Sequence, residues 1–260
     1  MSDLQVTQLL VTCAGVVVLM LAVMALRTLR RKRAIAVPFP PEWRELLNRS
    51  LPLYSRLPPD LRKRLEPPVR AFFRDVRFVG CDGLQVTDEM RLVVATQACL
   101  LTVNQSANAY RELMSVLIYP DTFVITRTEE DDAGIVTESE DAVSGEAQDT
   151  ARIVLSWQDV TAPLEEGEIR NVVLHEFAHY LDHSVDGELQ DVLEDEYDEH
   201  VAALDRHEET LIDPDGGEDP AEFFAYATEA FFEVPAELKR LHPSLYEALK
   251  TGYGLDPAAW

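Results

Sequence analysis

His175 and His179 stand four residues apart with Glu176 beside the first, an H-E-x-x-H pentapeptide inside the apolar run from Val172 to Leu181. Residues at that spacing share one face of an α-helix, so both imidazoles can reach a single metal ion. In zinc hydrolases the acid of this motif is the general base acting on metal-activated water. The motif alone is common, and its setting carries more weight. Val172, Val173, Leu174, Phe177 and Ala178 predict a helix buried on most faces. Burying two imidazoles and a carboxylate there costs on the order of several kcal/mol unless they are paired or metal-bound. Two core histidines satisfied by hydrogen bonds are the bland alternative.

A catalytic zinc takes three protein ligands and keeps one position open for water. The extended pattern with a third histidine is absent, because position 182 is Asp and position 185 is Val. His183 continues the four-residue spacing but lies about 12 Å along the helix axis from His175, too far to share one ion. The third ligand is therefore expected from a separate downstream helix, as an acid on an apolar face. Glu222 and Glu229, seven residues apart on one face, both fit. Glu222 also suits the third position of a helix headed by Asp219 and Pro220, much like a capping box. Spacing does not rank the two acids.

The elements that must position these groups follow from local signals. Val76–Gly80 is a strand candidate, and Thr87 caps an apolar helix running to about Val103. Leu61 to Asp75 reads as a helix that Pro67-Pro68 should break. Ser115–Thr126 is β-rich with its break at Pro120-Asp121, residues 127–150 are acidic and loop-like, and Ala151–Trp157 is a compact strand expected to edge the cleft. Residues 168–183 form the motif helix, 195–211 a charged one, and 219–232 the acid-bearing one. The tail from Pro235 is helical to about Thr251. This is an α+β fold, mainly helical, with a small β-sheet ahead of the motif helix.

The chain has 260 residues, with 23 bases and 47 acids. Residues 1–33 hold five of the bases, among them Arg30, Arg31, Lys32 and Arg33, and one acid. The remainder carries 18 bases against 46 acids, a formal charge of −28, which repels phosphate backbones and excludes nucleic-acid binding. The acidic stretch 186–199 lacks calcium-loop spacing and reads as a solvated helix face. Cys13, Cys81 and Cys99 show no paired spacing, so neither a disulfide framework nor a cysteine zinc site is expected.

Leu9 to Leu26 contains no charge. As a helix it spans roughly 27 Å, near the roughly 30 Å hydrocarbon core. The basic knot follows the run, which predicts a single-pass anchor in the inner membrane with a cytoplasmic catalytic body. Residues 1–33 are thus read as an N-terminal transmembrane helix with its basic stop. Residues 34–60 are a proline-rich linker holding a short helix around Glu42–Arg49, and 61–260 the zinc metallopeptidase domain.

Several motifs then act jointly: Asn171-Val172-Val173-Leu174 before the pentapeptide, Asp219-Pro220-Ala221-Glu222-Phe223-Phe224, Thr87-Asp88-Glu89-Met90-Arg91, Gln97-Ala98-Cys99-Leu100-Leu101, Ser144-Gly145-Glu146-Ala147 and Val154-Leu155-Ser156-Trp157. Over about residues 45–250 the chain resembles the Mlc titration factor A family of zinc-dependent peptidases, whose active site is similar to the anthrax lethal factor catalytic domain. The resemblance implies a zincin-like fold, zinc on His175, His179 and Glu222, and Glu176 as general base. It implies Glu229 behind the ligands, and an activity that is aminopeptidase-like. It also implies a transcriptional-regulator partner, because a soluble member sequesters the repressor Mlc. The family usually carries a tyrosine seven residues before its third ligand, suited to stabilising an oxyanion. Here that position is Asp215, and Tyr226 and Tyr180 are the substitutes the family pattern does not match. The expectation is a membrane-anchored zinc peptidase acting on a peptide or protein. The competing reading is a regulator-binding, repressor-titrating protein with weak or vestigial activity.

Overall fold

Capped ends and apolar stripes account for most of the architecture of the computed structural model, which describes Met20 and residues 38–105, 109–121, 123–130, 136–143, 145–146, 151–163, 169–182 and 187–260. Residues 41–260 form one compact unit. It opens with α1 (Pro41–Ser50), α2 (Pro52–Arg56) and α3 (Pro59–Asp75), so residues 41–60, read from sequence as linker, are largely helical. Each of these helices places proline at its first position, where the missing amide costs nothing.

α3 also runs unbroken through Pro67-Pro68, against the expected break. Leu61, Leu65, Val69 and Phe72 form a buried stripe along it, packed on α4 (Asp88–Thr102). Four such side chains contribute roughly 1.5–3 kcal/mol each, which offsets about 3 kcal/mol for each helix-interior proline. Tertiary burial wins. α4 is the central helix: Thr87 caps it by accepting from the Met90 amide at 3.2 Å, and Leu92 to Leu101 are buried throughout.

Beside these helices lies a four-stranded sheet in the order β1 (Arg77–Gly80), β2 (Ser115–Tyr119), β6 (Arg152–Ser156), β5 (Gly145–Glu146). The first three are parallel, and β5 runs antiparallel to β6. β6 is therefore paired on both sides rather than edging the cleft as expected. Among the described residues the outer strands of the sheet are β1 and β5, the latter only Gly145 and Glu146. β3 (Phe123–Glu130) and β4 (Val136–Val143) pair as a separate antiparallel ribbon, which corrects the loop-like reading of 127–150. Backbone pairing between the two strands holds that ribbon, and the acidic residues had masked its β-branched content.

Gly80 closes β1 where the chain folds back through Cys81–Leu84, with the Leu84 amide donating to the Cys81 carbonyl at 2.9 Å. A Cβ at residue 80 would stand 1.9 Å from the Leu84 carbonyl oxygen, and backbone cannot step aside as a flexible side chain would. Gly80→Ala should lower unfolding free energy by about 1–3 kcal/mol or more, read from the urea midpoint. An unchanged midpoint would show that the turn yields freely.

After β6 come α5 (Trp157–Thr161), α6 (Val172–Asp182), α7 (Gly187–Asp205), a 3₁₀ turn at Pro214–Gly217, then α8 (Pro220–Glu233), α9 (Pro235–Leu241) and α10 (Pro243–Tyr253). α6 starts later than the expected 168, and α7 earlier than the expected 195. α6 packs on α8, α4 and the β5–β6 side of the sheet. The result is a mainly helical α+β unit.

The expected single-pass inner-membrane location is corrected: among the described residues, no helix is long and apolar enough to cross a membrane. The longest of them, α7 with 19 residues, carries acids along its length and exposes most of them. The run Leu9 to Leu26 lies outside the described residues apart from Met20, as does the basic knot.

Candidate metal centre

Asn171 starts α6 by accepting from the Leu174 amide through Oδ1 at 3.1 Å, while its carbonyl accepts from the His175 amide at 3.0 Å. That cap fixes the helical phase, so His175 and His179 project from one face. α8 is started in the same way by Asp219, whose Oδ1 accepts from the Ala221 and Glu222 amides at 2.8 and 3.0 Å, with Pro220 at the first position. The Glu222 side chain turns to the histidines of α6. Asp219 is thus the cap, and the carboxylate of Glu222 is left for the site.

His175 Nε2 and His179 Nε2 lie 3.1 Å apart, and each stands 3.2 Å from one oxygen of Glu222. One donor atom from each of the three residues falls within 4.8 Å of the others. Donors sharing one tetrahedral ion at roughly 2.0–2.2 Å stand roughly 3.3–3.6 Å apart. The set fits a metal ion with little adjustment. On the far side of the His175 ring, Nδ1 meets Glu229 Oε1 at 2.8 Å. The other oxygen of Glu229 accepts from the Asn171 amide, so one buried carboxylate holds both the start of α6 and the orientation of His175. Glu176 is only 4% exposed, one residue round the helix from His175. His183 lies outside the described residues.

The electrostatics point the same way. Burial alone would depress His175, but hydrogen bonds to Glu222 and Glu229, with the Glu229 and Glu176 charges, raise its pKa to about 10. Burial opposes ionisation of Glu222, yet hydrogen bonds and charge from His175 and His179 hold it well below the ordinary carboxylate range. Both shifts say that this pocket favours a positive charge among its carboxylates. A divalent cation fits that preference.

The tyrosine candidates separate. Tyr180 is buried and stacks with Tyr110, whose ring also meets Phe177, away from the cluster. Tyr226 stands beside His175, ring centroids 4.8 Å apart. Burial and then the charges of Asp213, Asp215, Glu229 and Glu222 raise its pKa. Asp215 is exposed in the Pro214–Gly217 turn, its amide donating to Asp213 Oδ1 at 3.0 Å. His200, which sequence reasoning missed, is 4% exposed on α7, where its ring meets Phe223 at 5.4 Å and stands close to Gly216. Burial lowers its pKa, so a neutral imidazole supports the turn. Its signal was a lone histidine on the inner face of an acidic helix, which reads equally as a solvated residue. A separate cavity of about 530 Å³ opens near the start of α6, among Gln97, Trp157 and Val172, and none of the cluster residues lines it.

Residues 26–254 match the family described as glucose-regulated metallo-peptidase M90. An uncharacterized protein of Synechocystis sp. is 36% identical over 245 residues, covering 88% of this chain and 89% of its own. Mlc titration factor A of Yersinia enterocolitica is 31% identical over 234 residues, covering 84% and 86%. That of Pectobacterium atrosepticum is 30% identical over 228 residues, covering 81% and 85%.

Proposed function

We propose, from the premise that this chain belongs to the glucose-regulated metallo-peptidase M90 family, that it is a zinc-dependent peptidase acting on a peptide or protein. The observation that carries the reading is the convergence of His175, His179 and Glu222 with the buried acid Glu176 next to them. Two imidazoles and one carboxylate are the donor types of a catalytic zinc with an open position. A zinc ion held there supplies a Lewis acid and brings a bound water within reach of deprotonation near neutral pH.

The chain's own groups do the rest. Glu176 accepts a proton from the attacking water as the new C–O bond forms, then passes it to the amide nitrogen as the C–N bond breaks. Glu229 keeps the His175 ring in register by holding Nδ1. β5, an outer strand beside α6, would offer backbone groups that an extended substrate can pair with.

A second reading is a regulator-binding, repressor-titrating protein with weak or vestigial activity, in keeping with relatives named Mlc titration factor A. Asp215 favours it, since a carboxylate at the position where the resembled family usually carries tyrosine cannot donate a hydrogen bond to an oxyanion. Metal removal separates the two. The purified protein is expected to carry one zinc per chain, to lose hydrolysis of a fluorogenic peptide with 1,10-phenanthroline, and to recover it on adding zinc back. Hydrolysis that persists at zero metal content would sink the peptidase mechanism.

A further inference from the structure

Glu222, Tyr226 and Glu229 occupy positions i, i+4 and i+7 of α8, on the face turned to α6. Glu222 meets the Nε2 side of His175, and Glu229 meets Nδ1. The Tyr226 ring stands between them, edge to face on the imidazole at an interplanar angle of 75°. Long helical side chains lean toward the helix N-terminus. That lean carries the phenol back toward the Glu222 carboxylate and the Pro214–Gly217 turn, and the charges of Asp213 and Asp215 reach it there. The turn also reaches the ring, since a Cβ on Gly216 would come within 3.4 Å of Tyr226 Cδ2. The ring thus packs against both His175 and the Gly216 turn, and its hydroxyl makes no hydrogen bond to a described residue.

We propose that Tyr226 is the hydrogen-bond donor to the oxyanion formed when water adds to the scissile carbonyl, a role that rests on the peptidase reading above. As the C–O bond forms, the carbonyl π pair moves onto oxygen and the water proton goes to Glu176. The Tyr226 hydroxyl donates to that oxygen and keeps its own proton. Asp215 cannot serve, because an ionised carboxylate has no hydrogen to give and repels the developing charge. Tyr180 faces the aromatic core. A donor held by packing against His175 and the Gly216 turn meets the requirement that catalytic dipoles be positioned before charge develops.

Tyr226→Phe keeps the ring and removes only the donor. In the zinc-loaded full chain, kcat should fall by about 10²–10³-fold with KM little changed and zinc affinity intact. Affinity for a phosphinic peptide, whose tetrahedral oxygen mimics the adduct, should fall by a similar factor. Affinity for the matching peptide amide, measured on the Glu176→Gln background, should stay level. A Tyr226→Phe protein that keeps both kcat and phosphinic affinity overturns the assignment while leaving the peptidase reading in place. Equal loss of phosphinic and amide affinity also overturns it, since the hydroxyl would then serve substrate binding alone. A wild-type chain that neither hydrolyses peptides nor binds the phosphinic peptide overturns both readings together.

Discussion

Glu176→Gln is expected to hold its full complement of metal and to lose about 10²–10⁴-fold or more in kcat, the share a positioned general base commands. The candidate donor atoms belong to His175, His179 and Glu222, so the substitution removes none of them. Glutamine matches the shape of glutamate, and a neutral amide costs less to bury than a carboxylate that is 4% exposed. Folding should therefore survive, with a thermal midpoint no lower than that of the wild-type chain. The Glu176 charge does reach His175, so metal affinity should soften slightly rather than collapse. What disappears is the ability to accept a proton from water and return it to the leaving amine. Single-turnover hydrolysis paired with metal analysis checks both halves. Wild-type turnover in a metal-replete Glu176→Gln protein would exclude this residue as the base.

How much of this was legible in the sequence depends on how local each signal is. His175 and His179 stand about one helical turn apart, so their convergence follows from pitch alone. Glu222 was readable as a candidate because Asp219-Pro220 marks the start of α8. Spacing did not choose it over Glu229, since that depends on how α8 lies across α6, and only the family resemblance singled it out. The structure divides the two by which nitrogen of His175 each acid meets. Tyr226 had the same difficulty, being one turn from Glu222 with nothing local to show that its ring faces a histidine. Non-local packing also explains the misreadings. Pro67-Pro68 is a strong local break, but the buried stripe of α3 is a property of the neighbouring α4. β6 reads as a strand from its apolar run, whereas its interior position depends on Gly145 and Glu146, too short a segment to show a period.

Glu229→Ala should weaken metal binding by about 10–100-fold, the usual penalty for losing the group that orients a ligating histidine. The carboxylate is 1% exposed and holds two partners, His175 Nδ1 and the Asn171 amide. Alanine frees the His175 ring to rotate about its own bonds. It also strands the Asn171 amide at the start of the helix that carries both histidines, at about 1–3 kcal/mol for the unsatisfied group. Stability and metal affinity should therefore fall together. Glu222→Ala provides the contrast. It removes a donor atom, not an orienting one, from a carboxylate already 29% exposed, so it should cost more metal affinity and less stability. If Glu229→Ala abolished metal binding while Glu222→Ala left it intact, the roles assigned to the two acids would have to be exchanged. The prediction turns on geometry: two carboxylates seven residues apart grip opposite nitrogens of one imidazole, and only the pair on the Nε2 side shares space with His179.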